Sequence, residues 1–167
     1  MAATMARLTI PRLGIQEHHQ LLEIGCGNGT AVSAVAERLA TGTILAIDRS
    51  AATVARATQR NADHIARGVA RIVQVDLADL VVPAGHFHTI FAVNVNLFQA
   101  DGTETVDFLR RALRRRGRLV LGYGRRDADH LYAQAERTCT RLYSGGLTGA
   151  VADWASANCL FVTAERR

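Results

Sequence analysis

Apolar residues along this chain gather into short runs that a strand could bury, separated by stretches where they recur every three or four positions. The runs at residues 21–24, 43–47, 70–75, 87–93 and 117–123 are largely apolar and do not alternate cleanly with polar residues. That pattern suits strands covered on both faces, as in a parallel sheet. Between them, Val32, Val35, Ala36 and Leu39 mark the buried stripe of a helix starting near Thr30. Residues 50–66 form a second helix, opened by Ser50 as N-cap. Val106, Leu109 and Leu113 mark a third, stopped by Gly117, and Leu131, Ala135 and Leu142 a fourth over residues 127–142. Residues 147–154 and 158–163, on either side of Ala155-Ser156-Ala157, read as a closing hairpin. Strands alternating with helices predict an α/β fold with right-handed crossovers, and the hairpin predicts one antiparallel strand in an otherwise parallel sheet.

Chemistry enters at the end of the first run. Leu21-Leu22-Glu23-Ile24-Gly25-Cys26-Gly27-Asn28-Gly29-Thr30 passes from strand to helix through three glycines on alternate positions. Without Cβ atoms the backbone can lie directly against a ligand. The helix that follows offers unpaired N–H groups and the positive end of its dipole, which suits a ligand with a carboxylate, phosphate or hydroxyls. A dinucleotide fingerprint, Gly-x-Gly-x-x-Gly, would need its last glycine at position 30, where Thr30 stands.

The later strand ends continue the theme. The second run stops at Asp48, roughly 20 residues past the glycine loop, where acidic residues bind ribose hydroxyls; beside Ser50, Asp48 could equally open the next helix. The third run ends at Asp76-Leu77 and the fourth at Asn94-Val95-Asn96. With Glu23 ahead of the glycines, giving Glu-x-Gly-x-Gly-x-Gly, the chain resembles the class I S-adenosylmethionine-dependent methyltransferases over residues 20–164. The resemblance implies a Rossmann-like, doubly wound, mostly parallel seven-stranded sheet, one domain over residues 1–167, and S-adenosyl-L-methionine as cofactor. It implies a cofactor set of Glu23, Gly25, Cys26, Gly27, Gly29, Asp48, Arg49, Asp76, Leu77 and Asn94, with the glycines under the methionine part and Asp76 near the adenine amino group. Cys26 is read there as a small side chain that fits the loop rather than as a nucleophile.

Composition narrows the class. Hydrophobic residues make up 49% of 167 positions, enough for one core, and no apolar run approaches a membrane span. No secretory signal stands at residues 1–13, and three cysteines without metal-like spacing argue for free thiols in the cytoplasm. No metal is expected, and neither reductant nor chelator should matter. All 20 basic residues are arginine and the formal charge is +5, which invites a nucleic-acid reading. It is disfavoured, because Arg110, Arg111, Arg114, Arg115, Arg116 and Arg118 read as the solvated face and end of the third helix, with no stacking aromatics among them.

In the family, transfer is a direct displacement, and the protein holds the acceptor in line and excludes water. Ligands in such sheets sit beyond the carboxyl ends of the strands. Candidates for the acceptor side are therefore Asn96 and Gln99 after the fourth strand, with Tyr123, Arg125 and His130 after the fifth. His130 and Tyr123 are the candidate proton-handling groups. His18, His19, His86 and His88 fall at the opposite edge and are set aside. The loop after the fourth strand lacks an Asn/Asp-Pro-Pro-aromatic signature and a cysteine, which disfavours amino-group and cytosine C5 methylation. The expected acceptor is a small molecule, with residues 1–19 as its lid through Leu8, Ile10 and Leu13, or a second copy of the chain closing the site as a homodimer. Two other readings stand beside this one: a methyltransferase-like module that binds the cofactor without turnover, and an NAD(P)-dependent oxidoreductase, which Thr30 disfavours.

Overall fold

The computed structural model of the chain describes residues 2–98, 102–124, 128–156 and 158–167. Helix α1 (Ala2–Thr9) and a 3-10 turn (Ile10–Leu13) precede β1 (Gln20–Ile24). There follow α2 (Thr30–Ala36), β2 (Thr43–Asp48), α3 (Ala51–Arg60), α4 (Ala62–Ala66) and β3 (Ala70–Gln74). A 3-10 turn (Leu77–Asp79) leads to β4 (Phe87–Val93), then α5 (Thr103–Ala112), β5 (Leu113–Gly124), α6 (Ala128–Ser144), β6 (Leu147–Ser156) and β7 (Cys159–Arg166). The seven strands form one sheet in the order β3-β2-β1-β4-β5-β7-β6. β7 is antiparallel to both its neighbours, and the other pairings are parallel. The order reverses between β1 and β4, the switch point where doubly wound sheets bind ligands.

Successive residues of each strand face opposite sides, and both sides are apolar. Leu22, Ile90, Leu119 and Val162 belong to the core under α5 and α6. Leu21, Phe91, Val120 and Phe161 belong to the core under α1 and α2. This explains why the runs carry no polar alternation. The two sides are not covered alike. The crossover from β3 to β4 carries only the short 3-10 turn, so Val73, Val75, Leu77 and Leu80 remain partly buried beside the cleft described below. No helix among the described residues is long and apolar enough to cross a membrane.

Two expectations need correction. Leu113 is buried, but α5 ends at Ala112 and Leu113 begins β5. Arg114, Arg115 and Arg116 are therefore not on the helix; they stand exposed at the start of a strand, with Arg116 at φ 59°. The helix expected over residues 50–66 is broken at Asn61, whose φ and ψ of −107° and 20° leave the helical region. In the segment read as a lid, Met5, Ala6, Ile10 and Leu13 are buried on the sheet face shared with α2, with Met5 beside Gly124 at the end of β5. Leu13 is fixed there by its carbonyl, which accepts the Thr89 hydroxyl at 3.1 Å. Arg12 of the same segment pairs with Asp153 at 2.7 Å and lies over the Phe161 ring.

Candidate active site

The glycine loop is fixed from three directions. From the sheet, the Gly25 and Cys26 amides both donate to the Ile47 carbonyl, at 2.8 and 2.9 Å. From β2, the Asp48 carboxylate accepts the Gly27 amide at 3.1 Å on one oxygen and the Ser50 amide at 2.9 Å on the other. From behind, the buried Asn61 side chain donates to the Gly29 carbonyl at 3.1 Å and accepts the Ser33 hydroxyl at 2.7 Å, while Arg60 donates to the Asn28 carbonyl. The break between α3 and α4 is what turns Asn61 into this position.

The three glycines answer three different constraints. A Cβ on Gly25 would lie 2.4 Å from a methyl of Val95, and one on Gly29 would lie 2.5 Å from the Asn61 amide nitrogen. A Cβ on Gly27 would meet nothing within 4 Å, so the space in front of it is open. Gly27 also has a φ of +56°, which disfavours any side chain.

That open space belongs to a cleft of about 2020 Å³ at the carboxyl ends of β1, β2 and β4. Gly25, Gly27, Asp48 and Arg49 line it on one side, Asp76 and Leu77 on another, and Asn94 and Asn96 on a third. Glu23 and Cys26 lie beneath its floor, 3% and 5% exposed. Burial, and then the nearby Asp48 charge, push the Glu23 carboxyl well up, and its Oε2 is buried without a hydrogen-bond partner. Burial likewise pushes the Cys26 thiol up to about 12, which makes it unreactive. Asp76 also caps the following 3-10 turn, accepting the Ala78 amide at 3.1 Å.

Asn94 has a second task. It adopts a left-handed φ of 56°, a conformation asparagine tolerates, and its Oδ1 accepts the Gly124 amide at 2.7 Å. Its own amide donates to the Gly122 carbonyl, so the ends of β4 and β5 are tied together and Val95 is set against Gly25.

The acceptor-side candidates are not gathered in the same way. Tyr123 is 5% exposed beneath α6, its hydroxyl 3.4 Å from that of Thr138, and burial raises its pKa. His130 is exposed on the first turn of α6 and is not among the residues lining the cleft. Gln99 and Arg125 lie outside the described residues. Sequence reasoning missed Asn61, hidden inside an unbroken helical pattern. It also missed the far wall of the cleft on α5, where Thr105, Asp107 and Phe108 stand. An asparagine among good helix formers was the available signal for the first.

A family model described as a methyltransferase domain matches residues 21–117. The chain belongs to the methyltransferase-domain family. Among solved structures, this methyltransferase domain is similar to a SAM-dependent methyltransferase from Aquifex aeolicus, with a TM-score of 0.81 at 15% identity over 97% of this chain and 89% of that one. It is similar to a geranyl diphosphate methyltransferase in complex with SAM, with a TM-score of 0.76 at 14% identity over 99% and 85%. It is also similar to the cyclase SpnF, with a TM-score of 0.79 at 17% identity over 99% and 81%. A Bacillus subtilis protein, YrhH, whose name gives it only provisionally as a methyltransferase, is 31% identical over 68 residues. That match spans 41% of this methyltransferase domain and 38% of YrhH.

Proposed function

We propose that the chain binds S-adenosyl-L-methionine in the cleft at the β1–β4 switch point and transfers its methyl group to a small-molecule acceptor. The observation that carries the reading is the pairing of Asp48 with Gly27. A carboxylate at the second strand end is oriented by two backbone amides and keeps lone pairs for ribose hydroxyls, beside a glycine with open space in front of it. The residues present fit the cofactor. Gly27 gives a floor without a side chain, Asp48 a ribose acceptor, Asp76 and Leu77 a polar and an apolar contact for an adenine, and the buried Glu23 a support for the loop.

When bound, the cofactor supplies an electrophilic methyl group on a good leaving group. The chain's own residues then have little covalent work. The Asn94 tie holds Val95 and Asn96 at the rim where an acceptor would enter. No base is needed where the acceptor atom already offers a free lone pair.

A second reading, a module that holds the cofactor without turnover, is favoured by the placement of Tyr123 and His130 away from the cleft. One experiment separates the two. Calorimetry with S-adenosylmethionine and with NAD(P) establishes the ligand, and a radiolabelled methyl-transfer screen over metabolites and cell lysate follows. Binding of S-adenosylmethionine with transfer supports the proposal, binding without transfer supports the second reading, and failure to bind S-adenosylmethionine rejects both.

A further inference from the structure

Four of the six histidines stand together, at the edge of the sheet where the parallel strands begin and away from the cleft. His18 and His19 close the turn before β1, His88 is the second residue of β4, and His86 precedes it. The His19 and His88 rings stack at 4.3 Å, and His18 meets both edge-on at 5.0 and 5.5 Å. One ring nitrogen from each of His18, His19 and His88 falls within 4.8 Å of the others.

We propose that His18, His19 and His88 bind one divalent transition-metal ion of the zinc, nickel or copper class, in a site separate from the cofactor cleft. An all-imidazole set selects borderline cations of that class over magnesium or calcium, which take oxygen ligands. The backbones carrying the ligands are fixed. The His19 amide donates to Gln16 and its carbonyl accepts the Thr43 amide, at 2.9 and 3.0 Å. Gly42 lies so close to that carbonyl that no Cβ would fit there. The Nδ1 of His19 is buried with no hydrogen-bond partner.

One cation already stands near the place. The exposed Arg114 guanidinium contacts His88 Nε2, while the Gln20 amide faces His88 Nδ1 at 3.0 Å. A neutral imidazole can accept only one of these two donors. The Gln20 amide is fixed in the backbone and donates to Nδ1, so it selects the tautomer with its proton on Nε2, and the exposed guanidinium is the partner that can turn away. A metal on Nε2 requires the other tautomer, so its binding gives up the Gln20 contact and displaces the guanidinium. Metal–nitrogen bonds of about 2.0–2.1 Å draw the three nitrogens closer than they stand, by rotation of the exposed His18 and of the stacked pair. The ion would clip the turn before β1 to the start of β4.

The test uses the untagged full-length chain, stripped with chelator and titrated with Zn²⁺ by calorimetry and thermal melting. One ion per chain is expected, with a higher Tm and an unchanged affinity for S-adenosylmethionine. His18→Gln, on an exposed side chain, and His88→Gln should each weaken Zn²⁺ binding by roughly tenfold or more. Arg114→Gln should tighten it by removing the competing cation. Absence of saturable Zn²⁺ binding, or parental affinity in the folded His18→Gln variant, overturns the proposal. Unchanged affinity in Arg114→Gln overturns the assignment of His88 Nε2.

Discussion

The Asn61 side-chain amide donates to the Gly29 carbonyl at 3.1 Å, so the third glycine of the loop is held by a residue 32 positions later in the chain. The same amide reaches the Ala57 carbonyl at 2.9 Å, and its oxygen accepts from Ser33. Asn61→Ala leaves these buried groups unpaired, at a cost of about 1–3 kcal/mol. The variant should lose that much in urea unfolding and bind S-adenosylmethionine more weakly than a surface change such as Arg67→Ala does. Parental values for both would show that the loop holds itself.

Gly27→Val places a side chain in the cleft and in a left-handed conformation, so it should abolish cofactor binding in calorimetry. Asp48→Ala should weaken it by about 1.5–3 kcal/mol, the range for a hydrogen bond to a charged group. Gly25→Ala and Gly29→Ala should instead lower Tm, because their Cβ atoms meet Val95 and Asn61 rather than the ligand.

Glu23 predicts a pH effect of defined sign. Its folded pKa lies well above its unfolded value, so its contribution to stability is full below about pH 4.5 and declines as pH rises toward the folded pKa. Glu23→Gln keeps a neutral group of similar shape. It should therefore gain stability relative to the parent as pH rises from 5 to 9 in denaturant titrations, and a constant difference across that range would contradict a neutral buried acid.

His19 and His88 act in the opposite sense. Their folded pKa values lie below the unfolded 6.5, so stability is full above pH 6.5 and is lost as pH falls toward about 4. With chelator present throughout, urea midpoints should fall over that interval, and less steeply in His88→Gln. Equal slopes in parent and variant would remove these histidines from the acid response.

What the sequence disclosed and what it hid follow from the range of the interactions involved. The strand at residues 87–93 was legible to the residue, because burial on both faces leaves an apolar run that nothing else explains. The Glu-x-Gly-x-Gly-x-Gly loop, Asp48, Asp76 and Asn94 were legible because each sits at a strand end, where local order alone places it at the switch point. Leu113 was misplaced because it is buried in either element; the four-residue spacing from Leu109 cannot distinguish a last helical turn from the start of a strand. Asn61 was hidden because its partners are 28 and 32 positions away. The histidine cluster was hidden for the same reason: His19 and His88 become neighbours only through the parallel pairing of β1 with β4.

The position of β7 between β5 and β6 governs the order in which this molecule can be finished. β7 follows every other strand in the chain, yet among the described residues β6 has no neighbour in the sheet except β7. Met5, whose sulfur lies 3.4 Å from Cys159 Sγ, shares its core with Phe161. At about 5–20 residues per second, the first helix waits roughly 8–30 seconds on the ribosome for that partner. During that interval Met5, Ile10 and Leu13 are exposed to chaperones and proteases. A ribosome stalled ahead of β7 would thus present a nearly complete sheet that has not closed over its first helix.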